Sequence, residues 1–452
     1  MINLLGGEGL QARVLRGTGL TLLSYSGAQM LRLGSNLVLT RILFPEVFGL
    51  MALVQVFMTG LQMFSDLGLR TSVIQNDRGD DLDFLGTAFT LQIARGVVLW
   101  AAAWAIAAPA AAFYETPMLA ELLPMAGLTS ILLGVSSMNI AWVNRHLRLG
   151  RLTALELGTQ AVGIAAMVGL AILWESVWAI VVGGLVGSFA RAILSHIVLP
   201  GPRVGPRWDP SALRDIVRFG KYIFLGTLAG FLVSQGDRAI LGAYVDLTQL
   251  ALYNIAFFLA TVPLMASRML ADRVLFPLYR SVPPGESAAN RGKILRARLG
   301  LTGATMAAAA VPALGGVWII EFLYDPRYHG AGPMLVLLTL ASLPALITAG
   351  HGMVLLAVGN SRDFTLLMVT AAVVQTGLMV LGIELYGLAG LILLPALGNV
   401  VIYPLIVGLV GRHGGWDWRH DLSYALAALA IAALAVWLNQ AALADLMSAV
   451  VA

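Results

Sequence analysis

Apolar runs of about 20 residues recur thirteen times along this 452-residue chain, each long enough to cross the hydrocarbon layer as one helix. The alternating ten-residue segments of an outer-membrane barrel are absent, so the spans are helical. Hydrophobic residues make up 59% of the chain and charged residues 12%, with a mean hydropathy of +0.84. A water-soluble domain of this length does not have that balance. The expected class is an all-α integral membrane protein.

The spans are placed at 18–40, 46–67, 84–108, 118–141, 153–173, 176–199, 216–242, 248–270, 298–321, 332–357, 363–385, 388–410 and 422–440. Residues 1–17 have two arginines but no compact apolar stretch or small-residue cleavage site, so the first span is expected to be an uncleaved anchor. On this placement nineteen of the 28 basic residues fall at the N-terminus or in alternate loops. The opposite loops hold only Arg41 and Arg327. The positive-inside rule then puts the N-terminus in the cytoplasm. Seven basic residues remain within or at the edges of spans: Arg32, Arg95, Arg191, Arg218, Lys221, Arg238 and Arg268.

The stretch PGPRVGPRWDPSALRD (200–215) follows six spans and is rich in Pro, Gly and Arg. It reads as a cytoplasmic linker (201–215) between a six-helix lobe at 1–200 and another at 216–410, with an extra helix and tail at 411–452. A second polar stretch, 271–297, reads as a loop followed by an interfacial amphipathic turn. Shifting the sequence by 202 positions lays the first two spans on the seventh and eighth, with Leu39 on Leu241 and Leu50 on Leu252. Six spans precede the second copy, which implies a parallel repeat about the membrane normal. The expected fold is therefore two pseudo-symmetric six-helix lobes around a central cavity, plus one or two C-terminal helices.

Polar stripes run through several spans. Gln55, Thr59, Gln62 and Asp66 recur at steps of four, three and four, on one helical face. Gln29, Arg32 and Asn36 do the same in the first span, and Gln92 and Arg95 mark the third. In the second half Thr227, Ser234 and Arg238 share a face with Asp237 beside it, and Asn254, Thr261 and Arg268 follow in the next span. A charged side chain at the bilayer centre costs about 2.5–3.5 kcal/mol even on the lenient insertion scale, so Arg32 and Arg95 should face a wet cavity or a partner. The competing reading for Arg95 is an ion pair with Asp66. Arg191 sits where snorkelling to the cytoplasmic face competes with a cavity role, and Arg218, Lys221 and Arg268 are read as snorkelling. His351, near the end of the tenth span, is a titratable candidate.

Other chemistries are excluded or weak. With no cysteine there is no disulfide, thiol nucleophile or thiolate metal site. No zinc-ligand pair of histidines, Walker loop or Gly-x-Ser-x-Gly elbow is present, so neither enzyme nor cofactor is expected. The net charge of +4 arises from short loops between spans and suits anionic lipid rather than nucleic acid. The acidic run Asp77, Asp80, Asp81 and Asp83 is read as a solvated loop in preference to a divalent-ion site.

The stretch LVLTRILFPEVFGLMALVQVFMTGLQMFSDLGLRTSVIQ (37–75), with Arg41, Pro45, Glu46, Gly49, Asp66, Gly68 and Leu69, resembles the first-hairpin signature of the polysaccharide transporters, or oligosaccharide flippases. These belong to the multidrug/oligosaccharidyl-lipid/polysaccharide superfamily. FGKYIFLGTLAGFLVSQGDRAILGAYVDLTQLALYNIAFFLATVP (219–263), with Asp237, Arg238, Gly242 and Tyr253, is similar to the second-lobe signature, and LFPLYRS (275–281) to the loop that follows. Leu252 stands where the family usually has a glycine.

The resemblance implies the two-lobed fold of that superfamily. It also implies a flippase of the bacterial inner membrane, carrying a polyprenyl-diphosphate-linked oligosaccharide to the outer leaflet for O-antigen, capsule or exopolysaccharide synthesis. Membrane lipids, a glycan polymerase and glycosyltransferases are the implied partners. On that reading Arg32 and Arg95 hold the anionic head, with Arg191 and Arg238 in support. Gln29, Asn36, Gln55, Gln62 and Asn254 replace water around the sugar, and Asp66, Asp237 and His351 are the candidates for ion coupling or gating. The alternatives are a drug or small-cation antiporter of the same superfamily, which would need an acidic cavity, and a membrane glycan polymerase or ligase, which would need a large outer loop.

Overall fold

The computed structural model describes residues 10–66, 68–220 and 224–451. Residues 1–9 of the N-terminal stretch, and Lys221, lie outside the described residues. Among the described residues every regular element is helical. Nine helices are long and apolar enough to cross a membrane, or ten if the pair Leu119–Gly134 and Asn139–Arg145, bent by 56°, counts as one. The chain is an all-α, multi-pass membrane protein. It divides into two compact units, Met1–Leu228 and Ala229–Ala452.

The first unit contains α1 (Leu10–Ile42), α2 (Pro45–Phe64), α3 (Leu69–Gln75), α4 (Leu82–Phe113), α5 (Leu119–Gly134), α6 (Asn139–Arg145), α7 (Leu149–Trp174), α8 (Val177–Val198) and α9 (Pro210–Gly220). Its helices start where the sequence supplies a cap. Pro45 opens α2, Asp81 accepts from the Asp83 amide to open α4, and Ser176 accepts from Trp178 to open α8. The chain leaves α2 through Gly68, whose φ of 62° favours glycine, and the Asp66 carboxylate accepts from the Gly68 amide at 2.9 Å. The signature residues Asp66 and Gly68 thus build one turn.

The pairs α4–α5 and α7–α8 pack along most of their lengths, α1 lies on α7, and α5 reaches α8. Helices α7 and α8 cross where Gly163 and Gly187 face each other. A Cβ on Gly187 would stand 3.0 Å from the Gly163 Cα, so the two backbones touch because neither carries a side chain.

The stretch that the sequence reads as a linker is folded onto α4. The Arg207 amide bonds to the Gly86 carbonyl and the Thr90 hydroxyl, and the Asp209 amide to the Thr87 hydroxyl at 2.9 Å. Ala212 and Ile216 are fully buried with Leu69, Val73, Phe84, Leu85 and Met138. The acidic run fastens the same segment through charge. Arg78 bridges Asp81 and Asp209, each at 2.7 Å, and Arg207 meets Asp83 at 2.7 Å. Hydrogen bonds from Arg78 and from the Ser211 amide and hydroxyl hold the Asp209 carboxyl well below the usual carboxylate range.

The second unit begins within α10 (Phe224–Leu241) and continues through α11 (Leu247–Ala260), α12 (Val262–Leu270), a π turn (Ala271–Leu275), α13 (Phe276–Ser281), α14 (Ala288–Leu323), α15 (Ala331–Thr348), α16 (His351–Ala357), α17 (Ser361–Gly411), α18 (Trp418–Leu438) and α19 (Gln440–Val451). The loop expected over 271–297 is mostly helix. Only 282–287, around Pro283, Pro284 and Gly285, is non-helical. Apolar Leu275, Tyr279 and Ile294 are buried with Val354, Leu355 and Ile406, which keeps the flanking residues wound. At 51 residues α17 would run ~77 Å if straight, far beyond the ~30 Å hydrocarbon layer. It breaks at Tyr386 and Gly387, the latter at φ 57°, and Gly382 and Gly390 on either side lie against each other. The two spans read at 363–385 and 388–410 are the two limbs of this turn.

Candidate binding cavity

Within the first unit a cavity of about 700 Å³ opens between α1, α7 and α8. Each helix presents one face to it. From α1 come Ala28, Arg32 and Ser35, from α7 Glu156, Thr159, Gln160, Gly163, Ile164 and Met167, and from α8 Gly184, Gly187, Ser188 and Arg191, with Leu133 of α5 beside them. These positions recur at steps of three and four, so a polar stripe on each helix is turned inward. The Gln160 amide donates to the Ala28 carbonyl at 2.9 Å and pins α7 to α1. The glycines of the crossing keep the floor of the cavity open.

Two of the arginines singled out by sequence, Arg32 and Arg191, meet on this lining. Among the described residues the Arg32 guanidinium has no ion-pair partner. Arg191 reaches the Glu156 carboxylate only at 3.9 Å, and its Nε is buried with no hydrogen-bond partner among the described residues. A buried N–H of that kind carries a desolvation cost of about 1–3 kcal/mol until an acceptor arrives. An anion entering the cavity would supply one. Arg70, which the charge count assigns to a loop, lies on the first turn of α3. Although part of its surface is exposed, burial first and the neighbouring Arg191 second push its guanidinium below the usual arginine value, with Glu156 and Arg95 also acting on it.

Arg95 has another place. Its Nε donates to the Ser65 hydroxyl at 2.9 Å and its Nη2 to the Gln62 carbonyl at 2.6 Å, so it closes the C-terminus of α2. It makes no ion pair with Asp66, whose carboxylate instead serves the Gly68 turn. Gln55 bonds to Thr59 at 2.7 Å along its own helix, and Gln62 contributes its carbonyl to Arg95 and Ser65. Gln29 and Asn36 each sit one position along α1 from a lining residue, and the Asn36 Oδ1 is buried without a hydrogen-bond partner among the described residues.

In the second unit Arg238, Asn254 and Asp237 come together. The Arg238 Nε donates to the Asn254 Oδ1 at 2.8 Å, its guanidinium lies 4.2 Å from the Phe257 ring centroid, and the Tyr253 hydroxyl donates to the buried Asp237 carboxylate at 2.7 Å. The network ties α10 to α11. His351 belongs elsewhere in that unit, in a buried cluster with Arg298, His420 and Asp421. The sequence reading counts Arg298 as a loop charge and passes over His420 and Asp421; the helix-start signal was Ser287, which accepts from the Asn290 amide and begins α14 ten residues earlier than expected. Among the described residues no group of three His, Asp or Glu side chains could hold a metal ion.

The family described as "Polysaccharide biosynthesis protein" matches residues 38–330. Similar curated proteins include the teichuronic acid biosynthesis protein TuaB of Bacillus subtilis (strain 168), 20% identical over 311 residues, covering 66% of this chain and 62% of that protein. The succinoglycan biosynthesis transport protein ExoT of Rhizobium meliloti (strain 1021) is 24% identical over 358 residues, covering 76% and 70%. The chain thus aligns with less than two thirds of the Bacillus protein's length. Among solved structures, the lipid II flippase MurJ in an inward closed conformation superposes with a TM-score of 0.64 at 13% identity, over 92% of this chain and 91% of that one, which establishes the likeness of fold.

Proposed function

Because the chain belongs to the polysaccharide biosynthesis protein family, we propose that it is a flippase for a polyprenyl-diphosphate-linked oligosaccharide, moving its head group across the bacterial inner membrane for O-antigen, capsule or exopolysaccharide synthesis. The observation that carries this reading is the convergence of Arg32 and Arg191 on a cavity whose wall also carries Ser35, Thr159, Gln160 and Ser188 among small and apolar residues, with Glu156 as its one acid. A diphosphate needs charge-assisted donors, a glycan needs neutral donors and acceptors, and a polyprenyl tail needs only lipid. The three helices supply the first two side by side. A drug-cation antiporter is disfavoured by the same lining, where two arginines face one glutamate. The transport and flippase names of the relative ExoT and of MurJ support movement of a substrate rather than a reaction on it.

In this reading the substrate enters with the diphosphate at Arg191, satisfying the buried Nε, and Arg32 takes the second phosphate or the first sugar. The polar faces of α7 and α8 replace water around the sugars, and alternating access carries the head group across. The positive-inside pattern supports a cytoplasmic N-terminus. Asp237 and Asp66, each already engaged by neighbours, act as gating contacts rather than as free carboxylates. Glycosyltransferases and a polymerase would act before and after it.

The test is the pair Arg32→Gln and Arg191→Gln in a strain where the chain is needed for surface glycan. Each lost charge-assisted bond is worth about 1.5–3 kcal/mol, so the double variant should move substrate at least about tenfold more slowly and leave lipid-linked glycan in the cytoplasmic leaflet. Wild-type flipping at normal protein levels would overturn the assignment.

A further inference from the structure

Four ionisable side chains of the second unit are almost completely sealed from solvent: Arg298 is 3% exposed, His351 1%, His420 1% and Asp421 5%. They come from three helices, α14, α16 and α18. Arg298 Nη2 stands 3.0 Å from His351 Nε2 and 3.1 Å from Asp421 Oδ1, while its Nη1 donates to the Gly415 carbonyl. Asp421 also accepts from the Tyr403 hydroxyl of α17 at 2.7 Å.

The shortest contacts set one arrangement of protons. A guanidinium only donates, so His351 Nε2, 3.0 Å from Arg298 Nη2 and 3.3 Å from Asp421 Oδ2, accepts from the arginine with its own proton on Nδ1, which faces the Thr348 carbonyl at 3.2 Å. His420 Nδ1 lies 2.7 Å from Asp421 Oδ1 and donates to it, leaving Nε2 to accept from the Thr302 hydroxyl at 3.0 Å. Neither imidazole needs a second proton to make these bonds, and the cluster then closes with one cation and one anion. A proton added at His351 Nε2 has Asp421 Oδ2 at 3.3 Å as an acceptor, but one carboxylate then faces two cations, two donors stand 3.0 Å apart, and the sealed cluster carries a net positive charge that opening relieves.

We propose that Arg298, His351 and Asp421 form a proton-operated clasp, which holds α18 against α14 and α16 while His351 is neutral and releases it when His351 takes a proton. The charged groups in contact with the His351 ring are Arg298 from α14 and Asp421 from α18, and behind them Tyr403 of α17 and His420 of α18 bond to Asp421. A spare partner is already in place. The Tyr279 hydroxyl of α13 is buried in the field of Arg298 and Asp421 and has no hydrogen-bond partner among the described residues. On release it can take up a bond that the cluster gives up, so the open arrangement leaves no orphaned charge. The clasp is independent of which substrate the first unit binds.

The sign follows from linkage. The open state binds one more proton than the closed state, so acid favours opening. Below the ordinary histidine value of about 6.5, closure weakens by about tenfold per pH unit. The experiment is hydrogen–deuterium exchange of the full chain in lipid nanodiscs between pH 8 and pH 5, corrected for intrinsic exchange, read on residues 418–428. Exchange should accelerate in the wild type and stay flat in His351→Gln, whose amide oxygen still accepts from Arg298 but does not titrate.

A flat wild-type profile, or the same acid step in His351→Gln, overturns the clasp; so does a step abolished by His420→Gln and kept by His351→Gln. Since the chain has no cysteine, Thr305→Cys gives a second readout without altering the cluster. Thr305 is buried on α14, and its labelling, normalised to the unfolded chain at each pH, should rise on acidification. Constant labelling contradicts release.

Discussion

The arginines of the first unit show that a membrane-embedded charge has two different uses. Arg32 and Arg191 keep hydrogen-bonding capacity in reserve on a cavity wall, whereas Arg95 spends its donors on the end of α2. Replacing Arg95 by Ala should therefore act on stability. Losing the bonds to Gln62 and Ser65 at a helix C-terminus costs about 1–2 kcal/mol, visible as a lower unfolding midpoint in detergent. If Arg95→Ala instead abolished flipping at an unchanged midpoint, its place would be in the substrate path. Position along the span made both kinds of arginine visible in the sequence, because any charge far from a loop needs a reason. Position could not say which reason, since a carbonyl at a helix end and a phosphate in a cavity ask for the same donor. Arg298 escaped altogether. It follows the basic run Arg291 to Arg296 so closely that it reads as one more loop charge, yet α14 has already wound ten residues by then.

At the scale of elements, the crossing of α7 and α8 shapes the cavity. Gly183, Gly187 and the many other small-residue spacings carry little weight in a chain with 49 glycines. In the structure Gly163 and Gly187 meet backbone to backbone, and a Cβ on Gly183 would stand 2.7 Å from the Met167 Cα. Gly187→Leu should prise the helices apart and fill the cavity floor, costing about 1–3 kcal/mol or more through overpacking and lowering transport with it. A variant that transports normally would show that the crossing is slack. Helix periodicity located the long helices, with α1, α10 and α14 starting eight to ten residues from where it put them, and it passed over the short helices α3, α9 and α13. It failed at 271–297, where Arg and Asp made the stretch look like a loop although Leu275, Tyr279 and Ile294 bury one side of it. Burial on a single face is a tertiary fact, and mean polarity does not reveal it.

For the molecule as a whole, the chain leaving the first unit is held to that unit as far as Ile216 by Arg78, Asp81, Asp83, Arg207 and Asp209. Arg78→Ala should free the segment, and trypsin should then cut at Arg203 and Arg207 several-fold faster in inverted vesicles. Unchanged cleavage would mean that the apolar anchors suffice. The network should not respond to pH near neutrality. Arg78 holds the Asp81 and Asp209 carboxyls below their ordinary value of about 3.9, so their contribution persists from neutral pH downward and fades only below that value. Cleavage of the wild type, corrected for the protease, should stay constant from pH 8 to about pH 6. Pro, Gly and Arg at 200–215 were read as a linker from composition alone. Composition registers the missing apolar run but not the threonine hydroxyls of α4 waiting for its amides.

The two limbs of α17 bear on how the protein is made. With only Tyr386 and Gly387 between them, neither limb has a neighbouring stretch of chain long enough to wait in water while the other settles. The tight turn favours entry of the two limbs into the membrane as one hairpin, back to back at Gly382 and Gly390. Biogenesis at this point counts hairpins, not single crossings.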